Sequence, residues 1–209
     1  MDVEDLVSHP KLWRAGNADR QLDTLPTGFE ALDRALPGGG WPRKAIIEVF
    51  VEHYGIGELG LLMPALTRLE QRSMAWIAPP HIPYAPALVR FGLDLNGMLL
   101  VQPRTQDDVP WAIEEIVRAQ FQSTVLAWLR SADDRTLRRL QLVIEARQAW
   151  AVFFRPMTML QQRSPAALKL RLIKQDDYLK IDILKCRGGK PSTVDVPLSA
   201  FIAADLRCD

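Results

Sequence analysis

Short apolar runs alternate with amphipathic stretches through the first three quarters of the chain. The runs 46–51, 74–78, 98–101, 124–129 and 149–154 show little internal alternation, the pattern of strands buried on both faces of a parallel sheet. Between them, segment 107–121 opens with Asp107, Asp108 and Pro110 before Trp111, Ile113, Ile116, Val117 and Phe121, which predicts a helix with an acidic first turn. Segment 134–148 repeats the design, with Leu137, Leu140, Val143 and Ile144 on one stripe and its arginines largely off it. Beyond residue 155 the period drops to two. AALKLRLI, DYLKIDILKCRGG and STVDVPL alternate apolar and polar residues between short turns, predicting antiparallel strands exposed on one face. The chain reads as one α/β domain over residues 25–209, its sheet parallel first and antiparallel at the end, preceded by an arm of residues 1–24.

A length of 209 residues, 48% of them hydrophobic, suffices for one substantial core. The net charge of +1 conceals an asymmetry: residues 1–129 hold 11 Lys/Arg against 16 Asp/Glu, and residues 130–190 hold 14 against 6. Such a basic half suits nucleic acid or an acidic partner, and equally a solvated arginine-rich surface. Within it Lys185, Arg187 and Lys190 surround a Gly-Gly pair in a predicted hairpin, a basic tip for a phosphate backbone or a turn that simply sits in water. Cys186 and Cys208 lack a CxxC pattern and His9, His53 and His81 lack metal spacing, so neither a disulfide framework nor a metal site is indicated. The N-terminal stretch has no signal-like apolar core, and no run reaches the roughly 18 apolar residues of a membrane helix, so the expected location is the cytoplasm.

Candidate chemistry concentrates in residues 46–63, IIEVFVEHYGIGELGLLM: a strand, a loop with glycines, then a predicted amphipathic helix. That is the layout of a phosphate-binding loop, GxxxxGK[ST], in which backbone N–H groups cradle phosphates, Lys reaches the terminal phosphates and Ser/Thr serves Mg²⁺. With Gly57 as the second glycine, the first falls on Glu52, the lysine on Glu58 and the hydroxyl on Leu59. A carboxylate about 4 Å from a phosphate charge costs roughly 4 kcal/mol per charge pair at an effective dielectric near 20. Glu58 thus repels what a lysine would attract. Gly55, Gly57 and Gly60 also spell GxGxxG, but no ribose-binding acid follows some 20 residues on, only Pro79 and Pro80.

Residues 26–50, PTGFEALDRALPGGGWPRKAIIEVF, resemble the start of the RecA recombinase core, and the likeness continues through IAPPHIPYAPALVRFGLDLNGMLLVQP to LKLRLI and LKIDILKCRGG. Within that group, an HPKLWRA-like start, GIGEL in place of the phosphate loop and a short C-terminal end look most like the ImuA family. The resemblance implies an accessory factor of bacterial damage-induced (SOS) mutagenesis that uses neither ATP nor another cofactor. It also implies partners: the polymerase-like ImuB, with RecA as a second candidate, and a self-associating surface. The position of RecA's water-activating acid falls on Pro80, and the strand that would end in a magnesium-orienting aspartate reads Val125, Leu126, Ala127, Trp128, Leu129. No catalytic residue is therefore expected. Gly28, Gly38, Gly39 and Gly40 read as turn residues. On the arm, Leu6, Leu12 and Trp13 form a small apolar set that either docks on a partner or folds back on its own core. Two other readings stay open: a SulA-like inhibitor of cell division on the same scaffold, and a divergent ATPase or DNA-binding RecA paralogue.

Overall fold

The computed structural model describes residues 22–69, 73–119 and 124–203. The arm residues Leu6, Leu12 and Trp13 lie outside them. Along the described chain run β1 (Thr24–Leu25), α1 (Glu30–Ala35), β2 (Trp41–Pro42), β3 (Ile46–Val51), α2 (Met63–Leu66), β4 (Met74–Ile77), α3 (Ala85–Arg90) and β5 (Met98–Val101). Then follow α4 (Val109–Arg118), β6 (Thr124–Trp128), α5 (Asp134–Ala146), β7 (Trp150–Pro156), β8 (Leu168–Lys174), β9 (Tyr178–Cys186), β10 (Ser192–Pro197) and α6 (Ser199–Ala203). The expected boundary between arm and core at residue 24 falls within β1, which pairs with β2.

The described strands other than β1 and β2 form one sheet in the order β10-β9-β8-β3-β7-β6-β4-β5. The steps from β8 through β3, β7, β6 and β4 to β5 are parallel, whereas β8–β9 and β9–β10 are antiparallel. This is an α/β, RecA-like core, a parallel sheet flanked by helices and extended by antiparallel strands. The central strands β3, β4, β6 and β7 are buried on both faces, as their unbroken apolar runs require, whereas the run 98–101, expected to be buried likewise, forms the edge strand β5 with Leu99 and Leu100 exposed. One face gathers Val49, Val51, Trp76 and Phe154 under α1 and α2. The other gathers Ile46, Ile77, Ala127 and Phe153 under α4 and α5. Adjacent Phe153 and Phe154 thus serve opposite cores, the consequence of a two-residue period along a strand.

The helices begin where their caps say they should. Asp133 accepts the Thr136 N–H at 2.7 Å at the start of α5, and Thr105 and Asp108 form a reciprocal capping box one turn before α4. Trp111, expected on the buried stripe of α4, is 64% exposed. The stripe is set by Val109, Ile113 and Val117 at four-residue spacing, which turns residue 111 to the far side. The amphipathic helix expected after the loop is only the four residues of α2. Pro64 near its start explains this, because proline is accommodated in the first turn and bars the helix from running through it. Gly28 belongs where it is: a Cβ there would lie 2.4 Å from Cβ of Pro64.

The antiparallel end departs from the expected one-sided exposure. The link from β7 to β8, residues 157–167, crosses over β3 to reach the next parallel position, and it roofs the polar face of the strands below. Lys169 is buried beneath it and donates to link carbonyls, and Asp182 of β9 is buried between β8 and β10. Asp182 is held by Arg171 Nε at 2.8 Å and by the Thr193 hydroxyl at 2.8 Å.

Candidate functional site

The loop that follows β3 encloses its own anion. Glu52 and His53 stay exposed just past the strand, and the chain then turns through Gly55 and Gly57. Gly57 has φ +112°, a conformation closed to residues with a Cβ. The turn aims two backbone amides inward. Gly55 N–H donates to Oε1 of Glu58 at 2.7 Å, and Ile56 N–H donates to Oε2 at 2.9 Å. Glu58 is only 4% exposed. A concave run of loop amides is an anion site by construction, and here the carboxylate at the lysine position fills it from within the same loop. The nearby Tyr54 hydroxyl titrates above its ordinary value because burial raises it; the charge of Arg130 offsets part of the rise and that of Glu58 adds to it.

Leu59, Pro80 and strand β6 carry the other positions singled out in the sequence. Leu59, at the hydroxyl position, packs partly buried against the core, and its carbonyl accepts the N–H groups of Leu62 and Met63 at 2.9 and 3.0 Å. Pro80 is exposed beyond the end of β4 and offers no proton acceptor on its side chain. Trp128, at the end of β6, stacks 4.8 Å from Phe154 and 5.8 Å from Trp76 within the core. A magnesium-bound nucleotide would need a cation and a hydroxyl in the loop and a carboxylate on β6, and these residues do not provide them. On the outer flank of the loop, the ring of Phe201 from α6 lies against Gly57 and Gly60 and meets Phe29 edge-on at 5.3 Å.

Of Lys185, Arg187 and Lys190, the first two make contacts within the chain. The Lys185 ammonium donates to the Ser164 carbonyl at 2.9 Å, reaching into the crossover link. Arg187 leans toward Glu145 of α5 at 3.8 Å, and Lys190 stays exposed at the turn. Sequence reasoning also passed over a buried ionic group beneath that link. Glu48 in β3 and Arg155 in β7, both fully buried, pair at 2.7 Å. Gln162 of the crossover accepts from Arg155 at 2.8 Å and donates to the Ala132 carbonyl at 2.6 Å. Lys169 donates to the carbonyls of Leu160 and Gln162 at 3.2 and 2.9 Å and lies 4.0 Å from Glu48. The signal was present as a single charge inside the run 46–51 and another directly after the run 149–154.

Sheet and loop together define a RecA-like α/β domain whose phosphate-loop position is built around a carboxylate. The comparisons with known proteins agree on the relationship. Over 96 residues the chain is 35% identical to Protein RecA of Lactobacillus acidophilus, covering 44% of this chain and 25% of that protein. Over 106 residues it is 35% identical to Protein RecA of Acholeplasma laidlawii, covering 49% and 31%. Over 120 residues it is 29% identical to Protein RecA of Prochlorococcus marinus, covering 56% and 31%. No protein-family model matches the chain. The chain is RecA-related over about half its length, and the match spans a quarter to a third of each of these relatives.

Proposed function

We propose that this chain is a RecA-like accessory protein of the bacterial DNA-damage response that supports mutagenic translesion synthesis through protein contacts, with ImuB and RecA as partners, and does not turn over ATP. The observation that carries this reading is the Glu58 carboxylate seated in the loop amides that a phosphate would need. The RecA resemblance supports it, since it sets the water-activating acid at Pro80 and the magnesium-orienting aspartate at the end of a strand that here reads Val125, Leu126, Ala127, Trp128, Leu129. Among the described residues no helix is long and apolar enough to cross a membrane.

The expected result is no heat on titrating ATP and Mg²⁺ into the purified protein, no ATP hydrolysis with single-stranded DNA, and co-purification with ImuB. Robust turnover that Glu58→Ala abolishes would sink the reading. Co-purification with the tubulin-like division protein in place of ImuB would favour the SulA-like alternative.

A further inference from the structure

The helices α4 and α5 cover one face of the sheet and run in the same direction, since each links strands that are parallel to one another. Glu114 of α4 pairs with Arg139 of α5 at 2.9 Å, which sets residue 114 abreast of residue 139. The inner stripes, with Ile113 on α4 and Leu140 on α5, are buried in the core. The outer stripes leave two large apolar side chains in water: Trp111, 64% exposed, and Leu142, 68% exposed. Neither helix gains anything from holding such a side chain in solvent, because the favourable term for both is burial.

Leu142 borders a groove of about 300 Å³ near the C-terminal ends of the two helices. Leu142, Val143 and Ala146 form its apolar part, and Arg118 and Arg147 are its charged walls. Such a socket suits an indole, whose body fills apolar space and whose ring face attracts a guanidinium. The charges of the layer are divided between the helices as well. Around its middle α4 carries Glu114 and Glu115, and α5 carries Arg135, Arg138 and Arg139. One helix is acidic there and its neighbour basic, so the face is complementary to itself when turned through half a circle.

We propose that the α4–α5 face docks a second copy of this chain in a closed two-fold dimer, with Trp111 of each copy seated in the other's groove between the two helices. An axis through the 114–139 contact lays each α4 antiparallel to α5 of the other copy. Residue 111 lies three places before 114 and residue 142 three places after 139, so the axis carries Trp111 onto Leu142 of the partner subunit. By the same count Glu115 meets the partner's Arg138. An isologous contact of this kind makes every pairing twice and closes after two chains. At roughly 1.5 Å per residue the helices are about 15 and 20 Å long and together about 20 Å wide, a footprint of about 400 Å² on each copy. That is at the small end of specific interfaces, which makes the dimer reversible and dependent on concentration. The edge strand β5 takes no part in it, and the proposal does not rest on the accessory role proposed above.

Sedimentation of the full chain over a wide range of concentration tests this. A reversible equilibrium between monomer and dimer is expected, with a micromolar dissociation constant. Trp111→Ala should weaken it about tenfold or more, the loss typical of a central aromatic anchor, and Leu142→Asp likewise. Glu115→Arg and Arg138→Glu should each weaken the dimer. Mixing those two variant chains should restore it, because in the mixed pair both 115–138 contacts again join opposite charges. All four side chains are exposed, and an unchanged melting temperature establishes that the variants remain folded. Leu99→Glu on β5 should leave the association as it is. A chain that stays monomeric throughout, or a dimer indifferent to Trp111→Ala, would overturn the proposal. So would charge variants that fail to associate on mixing, or an association lost in Leu99→Glu and kept in Trp111→Ala.

Discussion

Glu58 does two jobs at once at the scale of a single side chain. It presents a negative charge where a nucleotide would bring its own, and it satisfies two amides that would otherwise point into a buried space without a partner. Glu58→Gln keeps the shape but places an NH₂ group against one of the two N–H donors. One buried amide then loses its acceptor, and the expected loss is roughly 1–3 kcal/mol in urea unfolding. A variant as stable as the parent would show that the loop does not depend on the carboxylate. The reversed charge was legible in the sequence, because the motif assigns a role to that position. The inward turn of the side chain was not. It depends on the backbone angles at Gly55 and Gly57, which no residue pattern specifies.

The crossover link shows where element-level reading runs out. Alternation from residue 168 onward correctly announced strands, yet alternation cannot say which strand lies next to which. Only the parallel placement of β8 against β3 makes residues 157–167 pass over Glu48 and Arg155 and close them from water. A buried pair broken on one side leaves an uncompensated charge, at a cost of ~3–5 kcal/mol. Arg155→Met should therefore lower stability by that order, whereas Glu48→Met combined with Arg155→Met should recover much of it. Chemical denaturation of the two variants decides the matter, and equal losses in both would contradict it. The brevity of α2 has a similar lesson: the apolar pattern of 59–66 promised a helix, and Pro64 set its limit.

Across the whole molecule, the apolar runs were enough to foresee central strands buried on both sides, but not that the run 98–101 would lie at the sheet edge with Leu99 and Leu100 exposed. The polar ladder on the antiparallel flank was not foreseen either, since Arg171, Asp182 and Thr193 come from three different strands. That ladder gives the fold an acid limit. Burial opposes the charged form of Asp182, but the bonds from Arg171 and Thr193 and the charge of Arg171 outweigh it and hold the carboxyl below its ordinary value. A group with a depressed folded pKa contributes stability above its unfolded value near 4 and loses it as pH falls further. Stability measured from pH 7 to pH 2 should decline through the acid range, and more gently in Asp182→Asn. Parallel declines for the two proteins would remove Asp182 from the account.

The contact of Phe201 with Phe29, Gly57 and Gly60 joins stretches of sequence that are remote from one another. Such a clasp means that the loop after β3 is fastened from outside by distant parts of the chain as well as from within by its own carboxylate. Loosening at position 201, near one end of the chain, is felt first in a loop about 140 residues earlier.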